Sequence, residues 1–406
     1  MELKISSDLG AEAFRIVRAS EHAATIIGGN GAGLIYGCGR FLRQCRFAEQ
    51  SIEFGASVDL CKPRKTFRGI YFAVHNHNYY QNAPAEEVCA YIEELALWGV
   101  NRLAVAFHMF EYRGWGDPRA KKDIARLNIF FKAARGVGMK TVLLQVANDG
   151  FLNSPEQLRY AGGDMPRNWG TEICPSKPEG LQLIKRELRT LFESLDSLDY
   201  LVIWPYDSGG CMCAGCRPWG TNGFLRLGKE IAGLFQECRP GGKVILSAWY
   251  FDYNAGPQGD WDNLFKQLDN DLEWVDIVLA DGAWVNGDFP RQVIERKVPR
   301  PVVSFLEISM RTGGPRGGFG ANPMPEFIRS QWALEKDIIE GGIPYSEGIY
   351  EDINKVIWAQ LCWNPDRPIR EIMEEYAAYE FAPDCAADLA DAMNRMEPRA
   401  KAEQPG

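Results

Sequence analysis

The 406-residue chain carries 45 Lys and Arg against 54 Asp and Glu, a net charge of −9, so the clustered cations that phosphate binding needs are missing and nucleic acid is excluded as a partner. No apolar run is long enough to span a bilayer, and a composition 46% hydrophobic and 24% charged is that of a soluble globular enzyme with no membrane partner. Twelve Trp, 15 Tyr and 21 Phe can line a pocket as well as fill a core. Eleven cysteines, an odd number scattered mostly through apolar contexts, read as reduced thiols rather than a disulfide framework. The start, MELKISSDLG, has no basic head followed by an apolar core, so a cytoplasmic location is expected.

Residues 1–62 read as a small α/β unit. Ala13–Arg18 and Ala24–Gly28 alternate as strands, a turn follows at Gly29-Asn30-Gly31, a helix runs from about Gly33 to Arg46, and a last strand lies near Phe54–Leu60. The glycines of GGNGAG lack the Lys-Ser/Thr ending of a phosphate loop, so a turn with close packing is expected there.

From Arg68 onward, strand-like apolar runs begin near Gly69, Arg102, Lys140, Tyr200, Lys243, Val275, Pro301 and Gly342, with helical segments between most of them. In Pro84–Trp98, Glu86, Glu87, Glu93 and Glu94 fall on one side and Val88, Tyr91, Ile92 and Leu95 on the other. Eight strand–helix units in residues 66–363 predict a (β/α)8 TIM barrel, an α/β fold, rather than a doubly wound open sheet. Residues 364–406 read as short C-terminal helices and a tail.

A parallel barrel places its chemistry at the C-terminal ends of its strands. Residue types there are not bland. Strand one leads to His75 and His77, strand three to Asn148 and Asp149, and strand four to Trp204, Tyr206 and Asp207. Strand five leads to Trp249, Tyr250 and Asp252, and strand six to Asp281 and Trp284. Strand seven contributes Glu307 and Arg311, and strand eight Tyr345, Glu347 and Tyr350. Carboxylates ringed by aromatics suit a sugar, whose C–H face stacks on rings while its hydroxyls take hydrogen bonds. Hydrolysis of a glycosidic bond needs two carboxyl groups, one donating a proton to the leaving oxygen, the other attacking the anomeric carbon or activating water. Asp207, Glu307 and Glu347 are the candidates, and the other residues named are candidate sugar contacts. His75 and His77 alternate on the strand and so point the same way. A lone Asp after a strand also serves as a helix cap, and Trp204 or Trp249 equally suits the core.

Cys211, Cys213 and Cys216, with Cys174 from the preceding loop, have spacings that could grip one zinc ion in a closed structural site; free thiols or a disulfide are the alternatives.

Several segments carry a family likeness. GLIYGCGRFLRQCRF resembles the helix of the small domain preceding the barrel in β-N-acetylhexosaminidases and α-glucuronidases, and FRGIYF resembles the Arg-Gly opening of their first barrel strand. ICPSKPEG, WPYDSGGCMCAGCRPWG and YSEGIYEDINKVIWAQLCWNPDRP resemble a bacterial group of hexosaminidase-like barrel proteins with a Cys-rich loop after strand four. The hexosaminidase Asp-Glu pair is absent, Asp207 being followed by Ser208. The resemblance implies an exo-acting glycoside hydrolase on N-acetylhexosamine- or uronic-acid-containing glycans, without a catalytic cofactor. Two rivals stand beside it: a non-catalytic glycan-binding barrel, and a sugar-acid isomerase or lyase using His75 or His77 as base.

Overall fold

The computed structural model describes residues 1–48, 51–75, 77–160, 170–207, 209–252, 259–270, 272–282, 289–295, 298–309 and 322–397. Trp284 and Arg311 lie outside the described residues.

The chain opens with β1 (Glu2–Ile5), β2 (Phe14–Ser20), β3 (Ala23–Gly28) and helix α1 (Gly31–Gln44). A short hairpin, β4 (Arg46–Ala48) and β5 (Ser51–Glu53), which the sequence did not announce, precedes β6 (Val58–Cys61). The four longer strands order as β1-β3-β2-β6, with β1 parallel to β3 and the other pairs antiparallel. The GGNGAG glycines are packing glycines: a Cβ on Gly29 would sit 1.7 Å from the Gly10 oxygen and one on Gly33 2.3 Å from the Ala13 oxygen. Asn30 caps α1, its Oδ1 accepting the Gly33 N–H at 2.9 Å.

Eight parallel strand positions then close into a barrel: β7 (Phe67–Phe72), β8 (Arg102–Ala106), β9 (Lys140–Val146), β10 (Tyr200–Trp204), β11 (Lys243–Ser247), β12 (Ile277–Gly282), β13 (Val302–Leu306), and an eighth strand in two pieces, β14 (Ile339–Gly342) and β15 (Tyr345–Ser346). Pro344, which has no N–H for the ladder, sits in the break. Both pieces pair with β7, Gly341 opposite Phe67 and Tyr345 opposite Tyr71. Gly341 has φ 120°, and a Cβ there would lie 1.8 Å from the Phe67 oxygen, so only glycine lets the last strand approach the first.

The helices α2 (Tyr79–Asn82), α3 (Ala85–Leu97), α4 (Pro118–Gly136), α5 (Pro178–Ser194), α6 (Arg226–Cys238), α7 (Asp260–Asp269), α8 (Arg291–Glu295), α9 (Pro325–Glu335) and α10 (Asp352–Trp363) follow the strands, and α11 (Ile369–Glu380) and α12 (Ala386–Met396) finish the chain. Gly220–Leu225, leading into α6, is wound as a π-helical turn, and a Cβ on Gly223 would collide with the Trp219 ring at 2.2 Å.

The small sheet is bound to the barrel by buried polar and aromatic contacts. Arg68, fully buried, donates from Nε to the Gly99 oxygen (2.7 Å) and from Nη1 to Glu12 (3.2 Å), while Trp363 of α10 packs on Phe14 and Tyr36. Glu375 of α11 receives Arg40 (2.6 Å) and Arg43 (2.9 Å) of α1 and Arg367 (2.5 Å). Burial by itself would push the Glu375 carboxyl up, but Arg43, Arg367 and Arg40 overcome it and hold it at about 2, against an ordinary 4.5.

The folded value lies below the unfolded one, so this stabilisation is complete above about pH 4.5 and is lost as pH falls toward 2. Glu375→Gln is expected to cost about 3 kcal/mol at pH 7 and to flatten the acid limb of a Tm-against-pH curve. An acid limb identical to that of the wild type would refute the linkage.

Candidate active site

The floor of the barrel mouth is aromatic. Trp204, last residue of β10, lies 4.9 Å between ring centroids from Phe305 of β13 and 5.1 Å from Trp249, which follows β11. β10 and β13 are not neighbours in the sheet, so the Trp204–Phe305 contact crosses the barrel interior. Tyr71 of β7 joins Phe305 (5.9 Å) and Tyr345 of β15 (5.5 Å), and Tyr345 reaches His75 at 6.2 Å. The alternative of Trp204 and Trp249 as core residues is thus met halfway: both are almost buried, and both pave the end of the barrel where the loops converge.

Three carboxylates are carried by the segments that leave this floor. Glu347 leaves β15 half-buried, its Oε1 accepting the Tyr345 hydroxyl at 2.8 Å. Burial raises its carboxyl, the Tyr345 bond opposes this, and the nearby Glu351 carboxylate adds to the rise. Glu307, directly after β13 and buried, accepts the Ser309 N–H, and extends the ladder by bridging Tyr345. Asp207 stands three residues beyond Trp204 at φ 75°, a left-handed backbone uncommon for a non-glycine residue. The two floor phenols register the convergence. Tyr71, raised by burial, also feels the negative fields of Asp207, Glu111 and Glu347, and Tyr345, raised by burial, feels those of Glu347 and Glu307. Both phenols are therefore protonated donors at neutral pH. Tyr71 thus lies in the fields of Asp207 and Glu347, and Tyr345 in those of Glu347 and Glu307.

Several expected sugar contacts are otherwise engaged. Asn148 is fully buried: Nδ2 donates to the oxygens of Ile173 (3.0 Å) and Gly210 (2.7 Å), and Oδ1 accepts the Gly210 N–H (2.9 Å). It fastens the loop after β10 rather than facing the mouth. Asp149 accepts the Met109 N–H at 2.7 Å and holds the turn after β8, its carboxyl raised by burial. The Tyr206 hydroxyl donates to Asp260 at 2.5 Å in the start of α7. Asp252, at φ 66°, accepts the Trp261 N–H (3.3 Å) and the Gln292 amide (3.1 Å), and so braces the same helix. Tyr250, φ 63°, is buried against Trp249. Asp281 is buried at the end of β12. Tyr350 is 77% exposed outside the mouth.

His75 and His77 are not on the strand, because β7 ends at Phe72. His75 is packed edge-on against His108 (4.9 Å), and burial pushes it down to about 4, so it is neutral at pH 7. His77, at φ 59°, is exposed, its backbone N–H held by Gln81 (2.8 Å).

Two residues escaped the sequence analysis as site residues. Glu111 follows β8, and burial, then Asp123, raises its carboxyl. Glu351 is a buried brace: its Oε1 accepts Ser346 Oγ (2.6 Å), Ser309 Oγ (2.9 Å) and the N–H groups of Glu347 (2.9 Å) and Gly348 (3.0 Å), with the Lys355 ammonium at 3.8 Å. The i,i+4 spacing of Glu351 and Lys355 was a visible signal.

Sulfurs of Cys174, Cys211, Cys213 and Cys216 lie within 4.8 Å of one another, a set that could hold a metal ion. Among the described residues, no helix is long and apolar enough to cross a membrane.

No protein-family model matches the sequence, and no curated protein matches it. Solved structures do. A GH138 enzyme targeting pectin rhamnogalacturonan II superposes with TM-score 0.63 at 12% identity, over 96% of this chain and 50% of that one. The 4-O-methyl-α-glucuronidase BtGH115A, specific for decorated arabinogalactans, gives 0.60 at 12%, over 98% and 56%. The Streptomyces plicatus β-hexosaminidase with its GlcNAc product gives 0.62 at 15%, over 95% and 83%. The chain thus spans about half the length of the first two. What these similarities define is a fold: the TIM barrel found in glycoside hydrolases, with N- and C-terminal elements around it.

Tyr345→Phe removes a hydrogen bond that favours the Glu347 carboxylate, so the Glu347 pKa is expected to rise further. Carboxyl-carbon NMR titration checks this, and a downward shift would contradict the geometry.

Proposed function

We propose that the protein is an exo-acting glycosidase for N-acetylhexosamine- or uronic-acid-containing glycans, with residues 66–363 as the catalytic unit. The supporting observation is an aromatic floor whose Tyr71 phenol feels Asp207 and Glu347 and whose Tyr345 phenol feels Glu347 and Glu307. Carbohydrate-active neighbours with the same barrel, among them a pectin enzyme, an α-glucuronidase and a β-hexosaminidase, support the substrate class.

In this reading the C–H face of the terminal sugar stacks on Trp204 and Trp249, and neutral His75 takes a hydroxyl. Glu347, its carboxyl raised by burial, is the acid that gives a proton to the leaving oxygen. Asp207 faces the anomeric centre as nucleophile or as base to a water. Glu307 stabilises the positive charge that grows on the ring. Glu351 is a positioning residue that fixes the Glu347 backbone. The reaction draws on carboxylates and needs no catalytic cofactor.

A screen of aryl glycosides of N-acetylglucosamine, glucuronic acid, galactose and rhamnose, with NMR of the first-formed anomer, identifies the sugar and the stereochemical course. On the substrate found, Asp207→Asn and Glu347→Gln are each expected to lower kcat by roughly 10²–10⁴-fold with an unchanged circular dichroism spectrum. Activity should fall as pH rises through the Glu347 pKa, and Glu347→Gln should remove that alkaline limb. Near-wild-type rates in both variants would end the assignment. Tight sugar binding without turnover would support a glycan-binding barrel instead.

A further inference from the structure

No step of the proposed reaction uses the four clustered cysteines. Cys174 belongs to the loop after β9, whereas Cys211, Cys213 and Cys216 belong to the loop after β10. Three of the four are completely buried, and Cys213 is half-buried. Cys174 and Cys213 are 3.6 Å apart sulfur to sulfur. Four thiolates at about 2.3 Å from a tetrahedral zinc lie about 3.8 Å from one another. A set within 4.8 Å, with Cys174 and Cys213 at 3.6 Å, fits that cage, whereas a disulfide needs about 2.05 Å. All four are free thiols.

The surroundings are built for the cage. Cys213-Ala214-Gly215-Cys216 is a C-x2-C turn whose Cys216 and Arg217 N–H groups both donate to the Cys213 oxygen at 3.0 Å. Gly215 packs against Ser176, a Cβ there meeting the Ser176 Cβ at 2.9 Å. The Ser176 hydroxyl lies 3.0 Å from the Cys174 sulfur and 3.1 Å from that of Cys213, placed to donate to a thiolate. Four thiols packed this closely without a cation would leave weak donors facing one another in a dry pocket, whereas four thiolates around one divalent ion satisfy every sulfur.

We propose that Cys174, Cys211, Cys213 and Cys216 bind one zinc ion, and that this ion ties the loop after β9 to the loop after β10 and so fixes the arm that carries Asp207. That arm is already clamped elsewhere: Asn148 holds Gly210, and the Trp219 indole N–H donates to the Pro205 oxygen at 2.6 Å. Cys211 stands four residues beyond Asp207, so the metal is the third fastening of a short segment. The ion is closed to substrate and structural. The role given to Asp207 rests on the proposed function, but the metal site does not.

The test begins with full-length protein purified without added metal. Elemental analysis should give one zinc per chain, and cobalt replacement should give the visible spectrum of a tetrahedral tetrathiolate site. Cys213→Ser and Cys174→Ser should lose the metal, while Cys238→Ser, on α6 away from the cluster, should keep it. Stripping the zinc with a mercurial should raise amide hydrogen exchange in residues 209–219 and 171–176 by at least about tenfold, with the barrel strands unchanged. If the glycosidase reading holds, zinc loss should also cost roughly 10–100-fold in turnover. Well under one zinc per chain in folded protein, or two disulfides by mass spectrometry of the alkylated chain, would overturn the site. One zinc per chain with unaltered exchange in residues 209–219 would overturn its link to Asp207. One zinc with no turnover on any glycoside would leave the metal site standing and count against the glycosidase alone.

Discussion

Closure of the parallel sheet is the constraint on which the remaining structure depends. The eighth strand reaches the first only because Gly341 accepts φ 120° and carries no Cβ against the Phe67 carbonyl. That approach fixes the register of Tyr345 opposite Tyr71. The two phenols then stand side by side, and the loops leaving β13 and β15 deliver Glu307 and Glu347 onto them. An open sheet of the same strands would leave Tyr71 of β7 at one edge and Tyr345, Glu307 and Glu347 at the other, separated by the full width of the layer.

Around the mouth, polar side chains divide by what accepts or donates to them. Asp149, Asp252 and Asn148 answer backbone N–H groups that would otherwise be orphaned where loops bury themselves, and are the reason the loops have one shape. Glu351 does the same for the turn of Glu347, with four hydrogen bonds converging on one oxygen. Glu347 keeps its own carboxyl toward the floor, engaged by the Tyr345 phenol. The backbone and the carboxyl of Glu347 are thus held by different partners, Glu351 for the one and Tyr345 for the other.

The same division runs through the opposite side of the mouth. Asp207 is carried by an arm anchored by Asn148, by Trp219 and by the four-sulfur cluster, and its left-handed backbone is tolerated because those anchors over-determine the segment. The small N-terminal sheet bears on none of this directly. It buries Trp363 and Arg68 at the barrel's far end.

Much of the fold was legible in the chain. The period-two and period-3.6 patterns and the spacing of apolar runs determine eight strand–helix units, because these signals are local. The sequence also placed the acids at strand exits and the cysteines at ligand spacing. Which exits point at the floor was decided only in three dimensions. Asn148, Asp149, Tyr206 and Asp252 occupy the same kind of position as Asp207 and Glu347, yet their partners lie up to 62 residues away in the chain, as with Asn148 and Gly210. Whether a polar group satisfies a distant backbone or faces a ligand depends on hydrogen bonds that close across loops, and those form only when the barrel does.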